Sequence, residues 1–402
     1  MLLQIKPALR QVWRGPGTVQ IGLDPRFGMV LDGLTPGDRT LLDRLRAGAG
    51  EQSGGADRDR ALLRLLSEGG VLVEARTHAP PLGRFGSARA RLAPDAATWS
   101  VVHRRGGGDG WDLLAARAGR CVEVVGGGRT GAAIATTLAC AGVGSVRMDD
   151  DTLVTDADVS PASVPATAVG SVRRDAVDVE IGRLFRRPPT PASAGPEPAG
   201  RTQPGGTRPD RGDQPARPPT KPAPDLVVLI EHGAADALAA QRLVGADVPH
   251  LSVVVREGTI VVGPLVLPGS SPCLRCLDLH RADRDPAWPR ILAQLMAERR
   301  GPAGGRLVVA EEETASSLLG ASLAALQVLG HLDGLHLATT RQDPARSRPA
   351  AVGATLEVEL PDGLASRRDW PAHPSCGCHW PPAGGAWPAA AQDGGRPATM
   401  GQ

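Results

Sequence analysis

The pattern of apolar and polar positions in the middle of the chain predicts strands that alternate with helices. Residues 121–125 are a short apolar and β-branched run, which is typical of a buried parallel strand. Small residues at 132–141 predict a helix that packs closely on a sheet, and residues 143–148 predict the next strand. Further apolar runs predict strands at 225–230, 250–255, 259–262, 265–267 and 354–360, and helices at 173–185, 235–244 and 314–332. This order predicts a doubly wound, Rossmann-like α/β fold.

Residues 1–76 have the pattern of a separate, small α+β unit. Two short apolar strands flank the turn-forming residues 14–17, and residues 27–31 predict a third strand. Thr35 is placed as a helix N-cap with Pro36 at the first helical position and Asp38 at the third. A second helix at 57–67 ends at a Gly-Gly pair, and residues 71–73 predict a closing strand. The order resembles a winged helix, whose exposed strand edge can take an added peptide strand, although a dimerisation or packing module has the same pattern.

Three segments have no pattern that supports a packed core. Residues 77–119 are predicted to be a connector, with a short helix at 111–118 leading into the first strand of the α/β unit. Residues 187–224 are rich in Pro, Gly, Arg and Thr, and we predict a disordered surface insertion there. Residues 381–402 are Pro-, Gly- and Ala-rich and are predicted to be a flexible tail.

Length and charge narrow the class of protein. The chain has 402 residues, which suggests two or three domains, and 41% hydrophobic residues, which suffices for a core. The formal net charge of +2 gives no reason to expect nucleic-acid or membrane binding. The N-terminus lacks an apolar segment of signal-peptide length, and no uninterrupted apolar run approaches the length of a membrane span. We therefore predict a soluble, cytoplasmic protein.

The first strand of the α/β unit runs directly into a glycine-rich turn. Gly126, Gly128 and Gly131 have the GxGxxG spacing, and the next strand ends in acidic residues that include Asp150. Such glycines let the backbone approach a phosphate, the helix N-terminus favours an anion, and the acid can bind a ribose hydroxyl. The alternative is a tight turn that binds nothing. A nicotinamide-dependent oxidoreductase shares the motif, but we find no catalytic His or Lys in a recognisable frame downstream.

Four of the six cysteines form two close pairs, which suggests a metal site. The ligands would be Cys273, Cys276, Cys376 and Cys378. Four thiolates in two pairs can close a tetrahedral zinc site, which would be structural and would pin the C-terminal segment to the α/β unit. His373 or His379 could replace one sulfur, and redox cysteines or free thiols are further alternatives. The remaining two, Cys121 and Cys140, are predicted to be core residues.

A charged run follows the first cysteine pair. It contains His280, Arg281, Asp283, Arg284, Asp285 and Trp288. We predict a solvated loop with local ion pairs; the alternative is a crossover loop over the glycine-rich pocket that contacts a peptide or partner.

The order of these features resembles the ThiF and MoeB adenylyltransferases and, more distantly, the ubiquitin-activating enzymes. The resemblance covers roughly residues 115–380: glycine-rich turn, acidic second strand, CxxC, a GASLAALQVLGHLDG helix and a terminal cysteine pair. The N-terminal unit and the GPLVLPGSSPCLRCLDLHRADRDPAWPR stretch resemble one branch, the ThiF-like partners of YcaO cyclodehydratases in azole-containing peptide biosynthesis. That resemblance implies that the winged-helix-like unit binds the leader of a precursor peptide, and that the protein is a homodimer.

The family chemistry implied is adenylation of a C-terminal carboxylate by Mg-ATP. Gly126, Gly128 and Gly131 match its phosphate loop, Asp150 its ribose-binding acid, and Arg173 the position of a phosphate-binding Lys.

Several departures weaken that implication. The second acid of the acidic strand is Thr152 here, and residues 157–162 lack the phosphate-contacting Arg. His232 stands where an Asp should help to hold Mg-ATP, with Glu231 beside it as a substitute. No cysteine lies between Cys276 and Cys376, so the acceptor thiol is missing. Because one preorganised charge contact is worth ~10²–10³ in rate, we expect a peptide-binding scaffold with an eroded ATP site; the alternative is an active adenylyltransferase.

Overall fold

The computed structural model describes residues 2–48, 50–51, 57–75, 82, 89–103, 110–185, 223–299, 312–339 and 348–378. Almost all of the predicted insertion at 187–224, the whole tail at 381–402 and part of the predicted connector at 77–119 lie outside the described residues, as does His379.

The N-terminal part of the chain forms two small antiparallel sheets and two helices. The elements are β1 (Leu2–Ile5), β2 (Gln11–Gly15), β3 (Thr18–Ile21), β4 (Met29–Leu31), α1 (Pro36–Arg46), β5 (Gly50–Glu51), α2 (Asp57–Glu68) and β6 (Leu72–Glu74). One sheet has the order β5-β1-β6 and the other β2-β3-β4. The hairpin, both helices and the closing strand are confirmed, whereas β1 was not predicted. The winged-helix resemblance stays a prediction.

The cap of α1 also joins the two N-terminal helices. Thr35 and Asp38 form the predicted capping box, in which each side chain binds the backbone N–H of the other. Arg58 of α2 donates to both carboxylate oxygens of Asp38, at 2.8 to 3.0 Å. Leucines from both helices pack with Val19 and Ile21 in a core of their own.

Two helices precede the main sheet, α3 (Arg89–Val102) and α4 (Gly110–Ala118). The sequence predicts α4 but not α3, because α3 contains Pro94 and its apolar residues follow no clear helical period.

A seven-stranded sheet is the centre of the rest of the chain. Its strands are β7 (Cys121–Val125), β8 (Ser145–Asp149), β9 (Leu226–His232), β10 (His250–Val255), β11 (Thr259–Val266), β12 (Ala354–Glu359) and β13 (Ala365–Asp369). The order is β13-β12-β11-β10-β9-β7-β8. Strands β8, β7, β9 and β10 are mutually parallel, and the other three continue the sheet as antiparallel strands. The parallel half confirms a Rossmann-like α/β fold.

Helices cover both faces of this sheet. They are α5 (Gly128–Cys140), α6 (Arg173–Phe185), α7 (Ala237–Gly245), α8 (Leu274–Arg284), α9 (Trp288–Arg299) and α10 (Thr314–Thr339). The largest core lies on one face, where α5, α6 and α10 pack on alternate residues of the strands. A second core lies on the other face beneath α7.

Helix α10 has the length and composition of a membrane span over Thr314–Gly334, with a mean hydropathy of 1.3. More than half of that window (56%) is buried inside the protein, against α5 and β11. It is therefore a core helix, as in soluble proteins; the cytoplasmic location stays a prediction.

Three predictions are corrected. The two strands predicted at 259–262 and 265–267 are one strand, β11 (Thr259–Val266), because an irregular register opposite Leu251 and Val253 accommodates Gly263-Pro264 without ending it. The charged run at 280–288 is not a solvated loop but the end of α8 and the start of α9. Arg281 stacks on Trp288 and pairs with Asp278 at 3.2 Å, because its long stem can be buried while its charge is satisfied.

The third correction concerns Cys140. It is exposed rather than a core residue, because it is the last residue of α5, whereas Cys121 is buried as predicted.

Candidate functional site

The glycine-rich turn connects β7 to α5. Gly126 and Gly128 have φ angles of +95° and +76°, in the region that L-residues with side chains rarely adopt. A Cβ atom at Gly131 would collide with the carbonyl oxygen of Gly126. The three predicted glycines therefore make the turn and the close contact between helix and strand.

Asp150, the predicted ribose-binding acid, lies against this turn. Its Oδ2 accepts the Gly127 N–H at 2.6 Å, and its Oδ1 accepts the N–H and hydroxyl of Thr152 at 2.9 and 2.6 Å. Arg173 contacts Oδ2 at 3.3 Å. Burial raises the pKa of Asp150, but the bonds from Thr152 and Gly127 and the Arg173 charge outweigh it and leave the pKa lowered. All four lone-pair positions of the carboxylate are thus used within the protein.

Arg173, at the position expected to bind phosphate, is shared by two carboxylates. Besides Asp150, its guanidinium donates to Asp158 through Nε and Nη2, with the shortest contact 2.8 Å. Asp158 is itself buried and held by Thr155. Burial lowers the pKa of Arg173, and the two acids more than offset this. One positive charge faces two negative ones, which leaves no net attraction for a phosphate at this point.

Glu312 is the residue at this site that sequence reasoning missed. Its side chain is only 3% exposed, and its Oε2 accepts the backbone N–H of Thr130 at 2.8 Å. Its Oε1 lies 2.9 Å from Nε2 of His232. The available signal was the run of acids directly before α10, because that helix packs beside α5.

His232 and Glu231 lie on opposite faces of β9, because successive strand residues alternate. His232 faces the glycine turn, where it meets Glu312. Glu231 faces the α7 side, where its Oε1 accepts the Asp236 N–H at 2.7 Å. The structure therefore brings Gly126, Gly128, Gly131, Asp150 and Arg173 together and directs Glu231 away from them.

The four paired cysteines form one cluster. The Sγ atoms of Cys273 and Cys376 lie 3.4 Å apart, those of Cys276 and Cys378 lie 3.3 Å apart, and all four are within 4.8 Å of one another. Four sulfurs at ~2.3 Å from a tetrahedral zinc ion would be about 3.8 Å apart, so the cluster is compatible with structural zinc. His373 belongs to a different group of side chains, with His280 and Asp283.

Thiol ionisation in this cluster is uneven. Hydrogen bonds with Cys273 and Cys378 lower the pKa of Cys276. Burial and the neighbouring sulfurs raise the pKa of Cys376 to about 12. A raised pKa opposes the ionisation of a thiol. A bound divalent cation would favour the ionised form at all four positions, because it stabilises every thiolate that it binds.

Cys273 is the N-cap of α8, so the CxxC pair opens a helix, which is also the context of redox-active pairs. Here, however, a second pair completes a four-sulfur set.

A second group, formed by His280, Asp283 and His373, also lies within 4.8 Å. Ser375 donates its N–H to Nδ1 of His373, so Nε2 carries the proton and donates it to Asp283 at 2.9 Å. His280 Nε2 lies 3.0 Å from the carbonyl oxygen of Pro371. Hydrogen bonds therefore satisfy this group without a metal.

Comparison with known proteins identifies the fold. No family model and no curated protein sequence matches the chain. Escherichia coli MccB with ATP matches with a TM-score of 0.58 and 14% identity, over 94% of this chain and 100% of MccB. The Microcin C7 biosynthetic enzyme MccB in complex with N-formylated MccA matches with a TM-score of 0.58 and 13% identity, over 94% of this chain and 99% of that one. PaaA matches with a TM-score of 0.60 and 15% identity, over 90% of this chain and 98% of PaaA. At these identities the likeness concerns architecture alone, and the chain has the same overall fold as MccB and PaaA.

Proposed function

We propose that this protein binds a precursor (leader) peptide and is a scaffold for a cyclodehydratase-type enzyme in azole or thiazole peptide biosynthesis. The observation that carries the proposal is that the charged groups around the glycine turn are committed to one another. Asp150 has its acceptor positions filled, and Arg173 is neutralised by two acids. A likeness over almost the whole of MccB, a protein crystallised with MccA, supports the peptide part of the proposal.

The sheet β2-β3-β4 offers a surface for such a peptide. Val12, Gln20 and Val30 lie opposite one another across its three strands. Val12 is 45% exposed and Val30 44% exposed, although both are apolar. Strands β2 and β4 are the edges of this sheet, where an extended peptide can pair with the backbone. We assign leader recognition to this face, within the predicted unit 1–76.

The experiment is a binding titration of fluorescently labelled candidate leader peptides, read as anisotropy, with the full-length protein. Val12→Glu and Val30→Glu each place a charge on the proposed face and should weaken binding by about tenfold or more. Val179→Glu is the matched control, because Val179 is 49% exposed on α6. Equal binding by all four proteins would exclude this surface, and the absence of binding to any leader peptide would exclude the proposed function.

A second proposal is that the cysteine cluster holds structural zinc. Zinc would join the start of α8 to residues 376–378, which follow β13, and so would pin the C-terminal segment to the sheet. Metal content by mass spectrometry of the native protein tests this directly, with one zinc ion per chain as the expected result.

The alternative function is an active ThiF-type adenylyltransferase that uses Mg-ATP on the C-terminal carboxylate of a peptide. It is favoured by the structures of MccB with ATP and with AMPCPP. It requires Asp150 and Arg173 to release their present partners and Glu231, or another acid, to hold magnesium. Calorimetric titration with Mg-ATP distinguishes the two proposals. Binding that is lost in Asp150→Ala, together with peptide-dependent pyrophosphate release, would establish the adenylyltransferase.

The YcaO-type partner and the homodimer are also proposals. Light scattering during size-exclusion chromatography measures the mass of the protein alone, and co-elution with a purified YcaO-type cyclodehydratase tests the partner.

A further inference from the structure

The first turn of α5 is an anion-binding position without a local cap. Gly127, its N-cap, has no side chain to accept a hydrogen bond from the helix. The free N–H groups and the helix dipole at such a terminus attract negative charge. In a glycine-rich turn of this kind the expected anion is a phosphate.

Asp150 accepts the N–H of Gly127, and the anion at the Thr130 N–H, within the first turn, is the carboxylate of Glu312. Besides the Thr130 N–H and His232, it touches the turn itself: a Cβ atom built on Gly128 would lie 2.7 Å from Oε1. The side chain is 3% exposed and contacts both α5, through the Thr130 N–H, and β9, through His232, so a second anion at the same N–H would have to displace it.

The backbone around Glu312 is also held in place. Arg129 of α5 donates through Nη1 to the carbonyl oxygen of Glu312 at 3.0 Å and to the Thr314 hydroxyl at 2.9 Å. The next residue, Glu313, accepts the N–H groups of Ala315 and Ser316 and so begins α10. The start of α10 therefore delivers the Glu312 carboxylate to the start of α5.

We propose that Glu312 is a built-in occupant of the anion site at the glycine turn and is the residue that excludes phosphoryl ligands from it. A phosphate at the Thr130 N–H would have to displace this carboxylate from its two partners. If Glu312 stayed in place, two like charges would meet within a few ångströms in a buried position. The turn thus keeps its phosphate-binding shape while the protein supplies its own anion. This inference does not depend on peptide binding, which is measured separately.

The test compares the full-length protein with Glu312→Ala and Glu312→Gln, and uses inorganic pyrophosphate as the probe. Calorimetry should detect no binding in the millimolar range for the unchanged protein. Glu312→Ala should bind at least about tenfold more tightly, because removing the charge ends the repulsion and frees the Thr130 N–H. Glu312→Gln keeps the shape of the side chain and loses its charge, so its gain in pyrophosphate affinity should be smaller than that of Glu312→Ala. It also keeps the inference testable if Glu312→Ala fails to fold.

Glu313→Ala is the matched control. It removes a neighbouring carboxylate that caps α10 and does not touch the turn, so it should gain no pyrophosphate binding. A pyrophosphate-dependent shift of the Thr130 amide resonance in Glu312→Ala places the anion at the turn. The inference is overturned if the unchanged protein binds pyrophosphate as tightly as Glu312→Ala, or if folded Glu312→Ala and Glu312→Gln both gain nothing.

Discussion

The ion pair between Arg117 and Asp333 joins α4 to α10, and its removal should be among the most destabilising single changes in the chain. The two side chains are 1% and 2% exposed. Arg117 donates through Nε and Nη2 to the two carboxylate oxygens of Asp333, at 2.8 and 2.6 Å. Its Nη1 reaches the carbonyl oxygen of Ala141 at 3.2 Å, beyond the end of α5. The pair therefore joins α4, α10 and the C-terminal end of α5, which is the end opposite the glycine turn.

Arg117→Met keeps the volume of the side chain and leaves Asp333 as a buried charge. Among the described residues, the other basic group beside this carboxylate is His103, whose Nε2 lies 3.7 Å from Oδ2 of Asp333. Leaving one buried charge without its partner costs about 3–5 kcal/mol, and we expect that loss in the free energy of unfolding. With a midpoint shift of ~2–4 °C per kcal/mol for a unit of this size, the thermal midpoint should fall by roughly 6–20 °C.

The double variant Arg117→Met/Asp333→Leu separates this pair from simple packing. An apolar replacement of a whole buried pair is often neutral or stabilising, so the double variant should recover most of the lost stability. Urea unfolding followed by circular dichroism gives the four free energies of the double-mutant cycle. Arg183→Met, which removes an exposed pair with Glu180, is the control and should cost less than about 1 kcal/mol. The reasoning would be refuted if Arg117→Met also lowered the free energy of unfolding by less than about 1 kcal/mol. It would be refuted as well by a double variant that is less stable than both single variants.

The pair of Arg117 and Asp333 also makes the free energy of unfolding depend on pH. Burial raises the pKa of Asp333, but the proximity of His103 and the hydrogen bonds and charge of Arg117 outweigh it, and the net pKa lies below the ordinary 3.8. A carboxyl whose pKa is lowered by folding contributes its full stability above the unfolded pKa and loses it as the pH falls through the folded one. Arg117→Met should be much less stable than the parent at pH 7. In this variant Asp333 is buried without its main partner, so its pKa in the folded state should rise above the ordinary value. The difference in stability should therefore shrink as the pH falls through that raised pKa, and should go on shrinking towards the lowered pKa of Asp333 in the parent.

Three further predictions concern other parts of the fold. Cys276→Ser should lower both the zinc content and the thermal midpoint of unfolding. Added chelator should then lower the midpoint of this variant little further. An unchanged zinc content in this variant would contradict the four-sulfur site. Hydrogen bonds from Arg58 lower the pKa of Asp38 to about 2, so the N-terminal unit should lose stability as the pH falls from 3.8 towards 2. The loss should be roughly 1 kcal/mol, because solvent screens the exposed Arg58. A pH series of unfolding midpoints should show this loss in the parent and not in Asp38→Asn. Gly131→Ala should destabilise by about 1–3 kcal/mol, because its Cβ meets backbone of the turn, whereas Gly245→Ala, in open space on α7, should not.

Local patterns predicted elements well where neighbouring residues carry the signal. Helix α6 and strand β10 have the predicted bounds, and the Thr35 cap forms with Asp38 as expected. Helix α8 escaped prediction for a physical reason. Its charged residues read as solvated, but Arg281 buries its stem against Trp288 and Trp370 and pairs with Asp278. Amphipathic side chains of this kind hide a buried surface from a hydropathy pattern.

The sequence by itself determined the parallel α/β architecture, the shape of the glycine turn and the identity of the four clustered cysteines. Each depends on short-range properties: β-branched runs, residues with positive φ, and thiols in close pairs. Only the tertiary structure decided what the turn holds, because its partners come from distant segments. Glu312 reaches Thr130 across 182 residues, and Arg173 reaches Asp150 across 23. Whether a charged side chain at such a site is free or already paired depends on how distant segments pack together. A local sequence pattern contains no information about that packing.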